Sequence, residues 1–547
     1  MQRTFGATVR DYTGTIPRLL DHAARRAPRS RWLYTDDLCL TFDEAAGRAG
    51  GIAALLTDTG LGYGDLVMMT ARTTPAYLMS WLALASIGAV TVPVNPASSP
   101  AELAGLVGQV QPSAVLTDPE LEPAITRALA EAYDGGRRVR AVLNVNGFLG
   151  ADQAAAQSAA PPDAALPDAG VRPDDLAVLI PTSGTTGRSK LVMQTHRAYV
   201  MAGEGFPFWM GLGADDRLMT SLPLFHINAP IYSVLGSLAC GAGLVLLPRF
   251  SASGFLDAAR RHEATEFNAI GAMLEILMRQ PERPDDADNP LRLCYAGPAP
   301  ERERQLEIER RFGIEIVVGY AMSESPYGLI WPHGTRPYGT LGAVRQHPYL
   351  GTINEAKVLA VDSDADAGPD AAAVTTDGAR ELGPGETGEI LLRNPVITPG
   401  YLGMPEETAA VLTGDGWLRT GDLVTVNADG TYTFVGRRKE VLRRRGENLS
   451  PLEVEEVLDS HPSVLESAVV GVASELTEEE IKAFVVAAPG ASLDLGELRD
   501  YAAERLTAFK VPRFWQVIGE LPRTPTARIA RHRLPQGHQP GEYDSQA

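Results

Sequence analysis

The chain has 547 residues, of which 44% are hydrophobic and 21% charged, a composition typical of a globular protein with more than one domain. Its formal net charge of −19 argues against a nucleic-acid partner or an anionic membrane surface, because the overall field repels both. The three cysteines are far apart and lack metal-ligand or disulfide spacing. The sequence has no run of about 18 apolar residues, so we expect a cytoplasmic protein without a membrane span.

Short strand and helix patterns alternate along the first part of the chain. We expect helices over 15–27, 42–57 and 77–87, and strands over 66–69 and 89–94. This alternation is typical of parallel sheets covered by helices. Two stretches rich in Ala, Asp and Pro, 148–175 and 361–386, are predicted to be exposed connections.

A glycine-rich stretch, Pro181-Thr-Ser-Gly-Thr-Thr-Gly-Arg-Ser-Lys190, follows a strand pattern at 176–180. Its glycines let consecutive N–H groups converge on one anion, and its lysine adds a point charge for phosphate. The spacing is not that of the P-loop, G-x-x-x-x-G-K-[ST]. A flexible surface turn does not need this order of residues. We therefore predict a phosphate loop formed by Thr182, Ser183, Gly184, Thr185, Thr186, Gly187 and Lys190.

This loop resembles that of the adenylate-forming superfamily, which includes acyl- and aryl-CoA ligases, nonribosomal peptide adenylation domains and beetle luciferases. The resemblance continues in order through Tyr295-Ala-Gly-Pro-Ala-Pro300, Val317-Val-Gly-Tyr-Ala-Met-Ser-Glu-Ser325, Gly416-Trp-Leu-Arg-Thr-Gly-Asp-Leu423 and Gly436-Arg-Arg-Lys-Glu440. It covers nearly the whole chain, and the motifs are specific as a set. It implies an α/β fold with a large N-terminal domain of parallel sheets layered with helices, followed by a small mobile α+β C-terminal lid.

The resemblance also implies where the domains meet. We expect an adenylate- and acyl-binding domain over 1–436, a hinge over 437–441 that contains Lys439, and the lid over 442–547. Within the lid, Ser450-Pro-Leu-Glu453 predicts a helix start, with Ser450 as N-cap and Glu453 completing a capping box. Strands over 468–472 and 483–486 and a helix over 495–506 are expected to follow.

The nucleotide site implied by the resemblance uses several of these motifs. Tyr320 offers a flat face on which adenine stacks, and Glu324 resembles the family's Mg²⁺ carboxylate, a hard oxygen ligand. Asp422 is expected to accept hydrogen bonds from both ribose hydroxyls, and Arg437 to contact the ribose. The remaining expected nucleotide-binding residues are Gly297, Pro298, Ala299, Ala321, Met322 and Ser323.

The acyl pocket is expected around His226, in the run Leu222-Pro-Leu-Phe-His-Ile-Asn-Ala229. A histidine in an apolar run is often a buried core residue, but the neighbouring motifs favour a pocket role. The run lacks the aspartate with which amino-acid-activating members pair the substrate ammonium. The other expected pocket residues are Asn228, Gly271, Tyr295 and Val318. This lining contains no charge partner, so we expect a non-amino, bulky apolar carboxylic acid.

The C-terminal tail departs from the family pattern. Leu521-Pro-Arg-Thr-Pro-Thr-Ala-Arg-Ile529 replaces Pro-x-x-x-x-Gly-Lys, whose lysine reaches the substrate carboxylate and the α-phosphate during adenylation. Arg528 keeps the charge but is broader and planar. We therefore hypothesise that adenylation is impaired while thioesterification, acyl-AMP + CoA → acyl-CoA + AMP, is intact. The alternative is that Arg528 substitutes adequately in an ordinary ATP-dependent ligase.

A basic run, Arg443, Arg444 and Arg445 followed by Gly446, is either a solvated face or a contact for the phosphates of CoA. The expected ligands are a carboxylic acid, ATP or acyl-AMP, CoA, and Mg²⁺ for any ATP step. A carrier-protein acceptor, a separate adenylating enzyme, a homodimer and a noncatalytic acyl-nucleotide-binding module stay open. The tail and the composition are similar to those of actinomycete natural-product CoA ligases of the platensimycin and platencin type.

Overall fold

The computed structural model describes residues 12–133, 139–149, 165–182, 189–270, 273–297, 299–332, 334–361, 376, 378–438, 442–444, 447–473, 479–523, 529–535, 537, 539 and 541–545. The chain divides into two compact units. The first unit comprises Met1–Ala356, Ala367–Thr375 and Leu392–Leu418, and the second comprises Lys357–Asp366, Thr376–Leu391 and Arg419–Ala547. The expected boundary at Lys439 stays a prediction, because that residue lies outside the described part of the chain.

Fifteen strands and eleven α-helices of the described residues build the first unit. The strands are β1 (Arg31–Tyr34), β2 (Cys39–Thr41), β3 (Leu66–Thr70), β4 (Val90–Pro93), β5 (Ala114–Thr117), β6 (Ala141–Asn144), β7 (Leu176–Thr182), β8 (Lys190–Thr195), β9 (Arg217–Thr220), β10 (Gly243–Leu246), β11 (Glu266–Ile270), β12 (Leu293–Gly297), β13 (Glu315–Met322), β14 (Ser325–Ile330) and β15 (Ala343–Val344). The helices are α1 (Ile16–Arg26), α2 (Phe42–Asp58), α3 (Pro75–Ser86), α4 (Pro100–Val110), α5 (Glu122–Ala132), α6 (His196–Met210), α7 (Gly236–Cys240), α8 (Phe255–His262), α9 (Met273–Met278), α10 (Arg302–Phe312) and α11 (Pro405–Val411). A π-helix, Ala229–Leu235, precedes α7, and 3₁₀ turns lie at Val145–Leu149 and Ala252–Gly254.

These strands form two large sheets. One has nine strands in the order β15-β14-β13-β12-β11-β9-β10-β1-β2, and the other has six in the order β6-β5-β3-β4-β7-β8. Parallel pairs form the centre of both sheets, which confirms the α/β fold predicted from the sequence. The edges differ from the prediction, because β13 to β15, β1 with β2, and β7 with β8 pair antiparallel. The sheets are therefore mixed.

Two features of these sheets position the candidate site. Strands β7 and β8 form an antiparallel pair in which Thr182 lies opposite Lys190, so the two ends of the predicted phosphate loop are adjacent. Strands β11, β12 and β13 run parallel, and their carboxyl ends meet at one edge of the sheet, the usual location of ligands in α/β folds. Residues 183–188 of the loop lie outside the described residues.

The predicted helix and strand positions in this unit agree closely with the structure. The helix predicted over 15–27 is α1, which begins after Thr15, whose side chain accepts a hydrogen bond from the backbone N–H of Arg18. The helix predicted over 42–57 is α2, and its N-cap, Thr41, forms a full capping box with Glu44. These starts could be predicted because the capping partners are three residues apart.

The second unit holds the remaining elements. Its strands are β16 (Glu355–Leu359), β17 (Thr387–Arg393), β18 (Leu418–Val426), β19 (Tyr432–Arg437), β20 (Leu442–Arg444), β21 (Glu447–Leu449), β22 (Val464–Ala473), β23 (Glu479–Ala487), β24 (Phe514–Val517) and β25 (Tyr543–Asp544), and its helices are α12 (Pro451–Asp459), α13 (Leu495–Arg505) and two 3₁₀ turns, Ala508–Lys510 and Arg531–Arg533. They form sheets in the orders β16-β17-β18-β19, β20-β21 and β22-β23-β24-β25. Strands β16 to β18 each begin or end in segments assigned to the first unit.

The capping box predicted for α12 does not form. Ser450 occupies the N-cap position with an extended backbone, but its side chain makes no cap hydrogen bond. Glu453, the expected reciprocal partner, forms an ion pair with Lys510 instead. The prediction was wrong because a residue 57 positions away competes for the carboxylate, and local sequence does not show that competitor.

One buried carboxyl in the nine-stranded sheet predicts a pH effect on stability. Glu266 on β11 is fully buried, and neither of its carboxyl oxygens has a hydrogen-bond partner among the described residues. Burial, and secondarily the charge of Asp216, raises the pKa of Glu266 well above its usual value. The unfolded chain therefore loses this proton at lower pH than the folded protein, and stability falls as pH rises above the ordinary glutamate pKa.

We expect the Glu266→Gln variant to lose this dependence and to gain stability relative to the parent as pH rises from about 5 to about 8. The difference in melting temperature between variant and parent, measured across this range, tests the expectation. A difference that does not change with pH would contradict it. Glu307→Gln, on the exposed face of α10, is the matched control.

Candidate active site

The lysine of the phosphate loop and the predicted magnesium carboxylate meet through one tyrosine. The Nζ atom of Lys190 lies 4.7 Å from the ring centroid of Tyr401, within the range of a cation–π contact. The hydroxyl of Tyr401 donates a hydrogen bond of 2.8 Å to Oε1 of Glu324. Tyr401 is buried, so its position is fixed by packing. Residues from two motifs and a third, distant segment are thus held together within the first unit.

The backbone around Glu324 is also held in place. Ser323 and Glu324 form the turn between β13 and β14, where Met322 pairs with Ser325. The carbonyl oxygen of Glu324 accepts a hydrogen bond from the N–H of Thr398 at 2.8 Å. The carbonyl oxygen of Ser323 accepts one from the side-chain amide of Gln194 at 2.5 Å. Both contacts orient the turn and therefore the carboxylate.

Burial, followed by the neighbouring Glu324 carboxylate, raises the pKa of Tyr401 above its usual value. Tyr401 therefore stays protonated and acts as a hydrogen-bond donor to Glu324. Sequence analysis missed this residue. Its only signal was an aromatic residue after a glycine in Pro399-Gly-Tyr-Leu402, which is too short a pattern to indicate a partner 77 positions away.

The arrangement fits a bound Mg²⁺. The Glu324 carboxylate is half-buried, and only its Oε1 atom accepts from Tyr401, which leaves a hard oxygen donor of the kind Mg²⁺ prefers. Mg²⁺ is usually held by one or two carboxylates together with waters and substrate phosphates. When bound, this ion would neutralise charge on the phosphates.

The other predicted nucleotide residues of the first unit lie at the ends of β12 and β13. Tyr320, Ala321, Met322 and Ser323 are half-buried at the end of β13 and in its turn, and Gly297 ends β12. A methyl group at Gly297 would lie 3.1 Å from the carbonyl oxygen of Gly319. Ala299 packs against the apolar core, and Pro298 lies outside the described residues.

The predicted acyl-pocket residues also lie in this region of the first unit. His226 is half-buried, with its ring centroid 4.5 Å from that of Phe225. The Oδ1 atom of Asn228, just before the π-helix, accepts a hydrogen bond of 2.6 Å from Asn268 on β11, and Asn268 pairs in register with Tyr295 on β12. Val318 on β13 is fully buried. Gly271 lies outside the described residues.

A cation that sequence analysis did not include lies beside this pocket. Arg345 is 1% exposed, and its Nη2 atom donates to the hydroxyl of Tyr295 at 2.5 Å. A methyl group at Gly319 would lie 2.7 Å from the same Nη2 atom. Neither Gly319 nor Arg345 was among the predicted pocket residues, although Gly319 lies within the motif that runs from Val317 to Ser325.

In the second unit, the predicted ribose residues pair with each other. Asp422 on β18 lies opposite Arg437 on β19, and Nε of Arg437 lies 3.1 Å from Oδ1 of Asp422. Asp422 is buried and Arg437 is exposed. The pair places a carboxylate and a guanidinium side by side, and the ribose-binding role of the two residues stays a prediction.

The basic run predicted for CoA binding is only partly described. Arg444 is 2% exposed, its Nη2 atom lies 2.6 Å from a carboxylate oxygen of Glu480, and its Nη1 atom donates to the carbonyls of Phe509 and Val511. Since its charge is paired inside the unit, Arg444 does not fit a phosphate-binding role. The structure does not describe the side chain of Arg443. Four further predicted residues also lie outside the described part of the chain: Lys439, Arg445, Gly446 and Arg528.

Comparison with known families agrees with these motifs. Residues 20–402 match the AMP-binding enzyme family, and residues 453–528 match the C-terminal domain of AMP-binding enzymes. The chain belongs to the AMP-binding enzyme family, the adenylate-forming group that the motifs predicted. Among the described residues, no helix has the length and apolar character needed to cross a membrane.

Two similar proteins of assigned activity are named as CoA ligases. The chain is 33% identical over 530 residues to a sulfoacetate–CoA ligase of Cupriavidus necator, which covers 95% of this chain and 97% of the relative. It is 31% identical over 490 residues to a crotonobetaine/carnitine–CoA ligase of Salmonella typhimurium, covering 88% and 90%. Among solved structures, ATP-bound MatB from Rhodopseudomonas palustris superposes with a TM-score of 0.80 at 26% identity, covering 94% of this chain and 97% of that chain.

Proposed function

We propose that this protein joins a carboxylic acid to CoA through an acyl-adenylate, and that adenylation is the slower of its two half-reactions. In the first half-reaction, a carboxylate oxygen attacks the α-phosphorus of ATP, and the bond to pyrophosphate breaks. In the second, the sulfur of CoA attacks the acyl carbonyl, and the bond to AMP breaks. The ligase assignment is carried by the contact of Tyr401 with both Lys190 and Glu324, which brings a phosphate-loop cation beside a carboxylate. The slower adenylation is inferred from Arg528, which replaces the family's lysine.

Each described residue has a defined task in this scheme. Lys190 supplies positive charge to the phosphates, Glu324 holds Mg²⁺, and Tyr401 fixes both side chains. Asp422 and Arg437 bind the ribose. His226 lies at the acyl end, where the thiol approaches. Arg528, in place of the family's lysine, is the reason for a slow first half, because a planar guanidinium is harder to aim as a single donor.

The proposal also concerns the identity of the thiol acceptor and of the acid. CoA is the expected acceptor because the relatives with assigned activity are named as CoA ligases; a carrier protein is the alternative. Two of those names specify acids with a second charged group, a sulfonate in one and a trimethylammonium in the other. Together with Arg345 beside Tyr295, this favours a charged acid over the bulky apolar acid expected from sequence. The similarity to platensimycin-type ligases stays a prediction.

A split assay tests the order of the half-reactions. One arm supplies acid, MgATP and CoA, and the other supplies the matching acyl-AMP and CoA. We expect acyl-CoA to form roughly a hundredfold faster from acyl-AMP, the cost of one misplaced donor in the transition state. Arg528→Lys should raise only the ATP-dependent rate.

The control is Arg523→Lys, which makes the same change in the same tail at a residue paired with Glu466. Equal rates in the two arms, with no effect of Arg528→Lys, would support the second candidate, an ordinary ATP-dependent ligase. That candidate is favoured by the intact contact between Tyr401 and Glu324. Failure of both arms with every acid and with CoA would contradict the proposed function.

A further inference from the structure

The guanidinium of Arg345 is a buried cation held only by neutral groups. Its Nε atom donates to the carbonyl of Leu329 at 2.9 Å, and its Nη1 atom donates to the hydroxyl of Tyr232 at 2.7 Å and to the carbonyl of Pro326 at 3.2 Å. Its Nη2 atom donates to the hydroxyl of Tyr295. A guanidinium carries five N–H donors, so one donor on Nη2 is left without a described acceptor.

The charge itself lacks a counter-ion among the described residues. None of the carboxylates in that part of the chain forms an ion pair with Arg345, although it is 1% exposed. The rings of Trp209, Tyr232 and Tyr295 surround it at 4.8, 5.2 and 5.5 Å from their centroids. Cation–π contacts offset part of the cost of burial, but a buried charge is normally paired with an opposite charge. An anion is therefore the missing partner.

This cation lies where the acyl group is expected. Tyr295 and Val318 are predicted pocket residues on adjacent strands β12 and β13. Gly319, next to Val318, faces the cluster closely, since a methyl group there would lie 2.4 Å from Cε2 of Tyr295 and 2.7 Å from Nη2 of Arg345. Glycine at this position lets Tyr295 and Arg345 pack directly against the backbone of β13, because any side chain there would collide with them.

The π-helix supplies the other side of this cluster. Tyr232 lies on it, and Asn228, another predicted pocket residue, immediately precedes it. Single π-helical turns occur frequently at functional sites. The segments that carry three predicted pocket residues, Asn228, Tyr295 and Val318, therefore converge on one guanidinium, all within the first unit.

We propose that the acid activated by this protein carries a second, anionic group, a carboxylate or a sulfonate, and that Arg345 with the hydroxyl of Tyr295 binds it. The proposal rests on the proposed function and names its substrate class. The remaining N–H on Nη2 can donate to an oxygen of such a group, and the positive charge of the guanidinium favours an anion over a neutral group. The same cluster disfavours an acid with a cationic tail, because the aromatic faces that would bind an ammonium already face Arg345.

The test compares kcat/KM for matched acids in both arms of the split assay. Malonate, succinate and sulfoacetate carry a second anionic group. Butanoate is the matched acid without a second charged group, and 4-(trimethylammonio)butanoate carries a cationic group instead. We expect at least about a tenfold preference for one or more dianionic acids over butanoate. Arg345→Met should reverse or abolish that ratio, and Tyr295→Phe, which removes only the hydroxyl, should reduce it. Arg25→Met, at an exposed ion pair on α1, should leave it unchanged.

The preference ratio is the decisive readout, because a variant that merely folds poorly loses activity toward all acids alike. Turnover of butanoate with no preference for any dianion would overturn the inference while leaving the ligase function in place. An equal loss for charged and uncharged acids in both Arg345→Met and Tyr295→Phe would show a purely structural role and would also overturn it. If Arg345→Met does not fold, Tyr295→Phe decides.

Discussion

Replacing Glu324 by glutamine is expected to slow ATP-dependent acyl-CoA formation by at least about a hundredfold, the usual cost of removing one group that stabilises transition-state charge. Glutamine keeps the shape and can still accept from Tyr401, but it removes the negative charge that suits Mg²⁺. Because only the first half-reaction involves pyrophosphate, turnover of supplied acyl-AMP should change much less. The measurement is the ratio of the two arms of the split assay, with pyrophosphate release as a second readout of the ATP arm.

The Tyr401→Phe variant distinguishes the contribution of the Glu324 carboxylate from the contribution of its orientation by Tyr401. This variant keeps the ring beneath Lys190 and removes the hydrogen bond to Glu324, so we expect a smaller loss in the ATP arm, about tenfold. Glu275→Gln, at a half-buried ion pair with Arg304 and outside the candidate site, should leave both arms unchanged. If Glu324→Gln slowed both arms equally, the carboxylate would have a structural role and its assignment to the ATP step would be wrong.

The fold could be predicted from sequence because its signals are local. Helix α1 begins at a threonine cap and α2 at a capping box within a few residues. Strands β7 and β8, on either side of the glycine-rich stretch, pair at Thr182 and Lys190, which are only 8 positions apart. The order of motifs then gave the family. Such local signals do not depend on the tertiary contacts that form between distant segments.

The residues that sequence analysis missed or assigned differently are positioned by contacts between distant segments of the chain. Tyr401 contacts Glu324, 77 positions away, and Arg345 contacts Tyr232, 113 positions away. Arg444 and Arg443 are neighbours in one basic run, but the run does not show that Arg444 is buried against Glu480. From charge alone, Arg444 was expected to lie on the surface or at bound CoA, whereas the structure buries it in an ion pair with Glu480.

That internal pair gives the last prediction. Arg444→Met should lower the free energy of unfolding of the second unit by about 3–5 kcal/mol, because it leaves the Glu480 carboxylate buried without its counter-charge. Denaturant unfolding measures the change when it is followed by tryptophan fluorescence in a background in which the other tryptophans are replaced by phenylalanine, so that the signal comes from Trp515, which is fully buried in this unit. A loss below about 1 kcal/mol would contradict a buried ion pair, since that is the range of exposed pairs.

A double variant separates this structural role from the role in CoA binding suggested by sequence. Removing both charges in Arg444→Met with Glu480→Gln should recover much of the lost stability, because replacing a whole buried pair is often close to neutral. If Arg444 only supports the fold, the double variant should also recover the KM for CoA of the parent. If it contacts the phosphates of CoA, stability should return while the KM stays raised, since the guanidinium that met the phosphate would still be missing. Stability and KM therefore respond together in the first case and separately in the second.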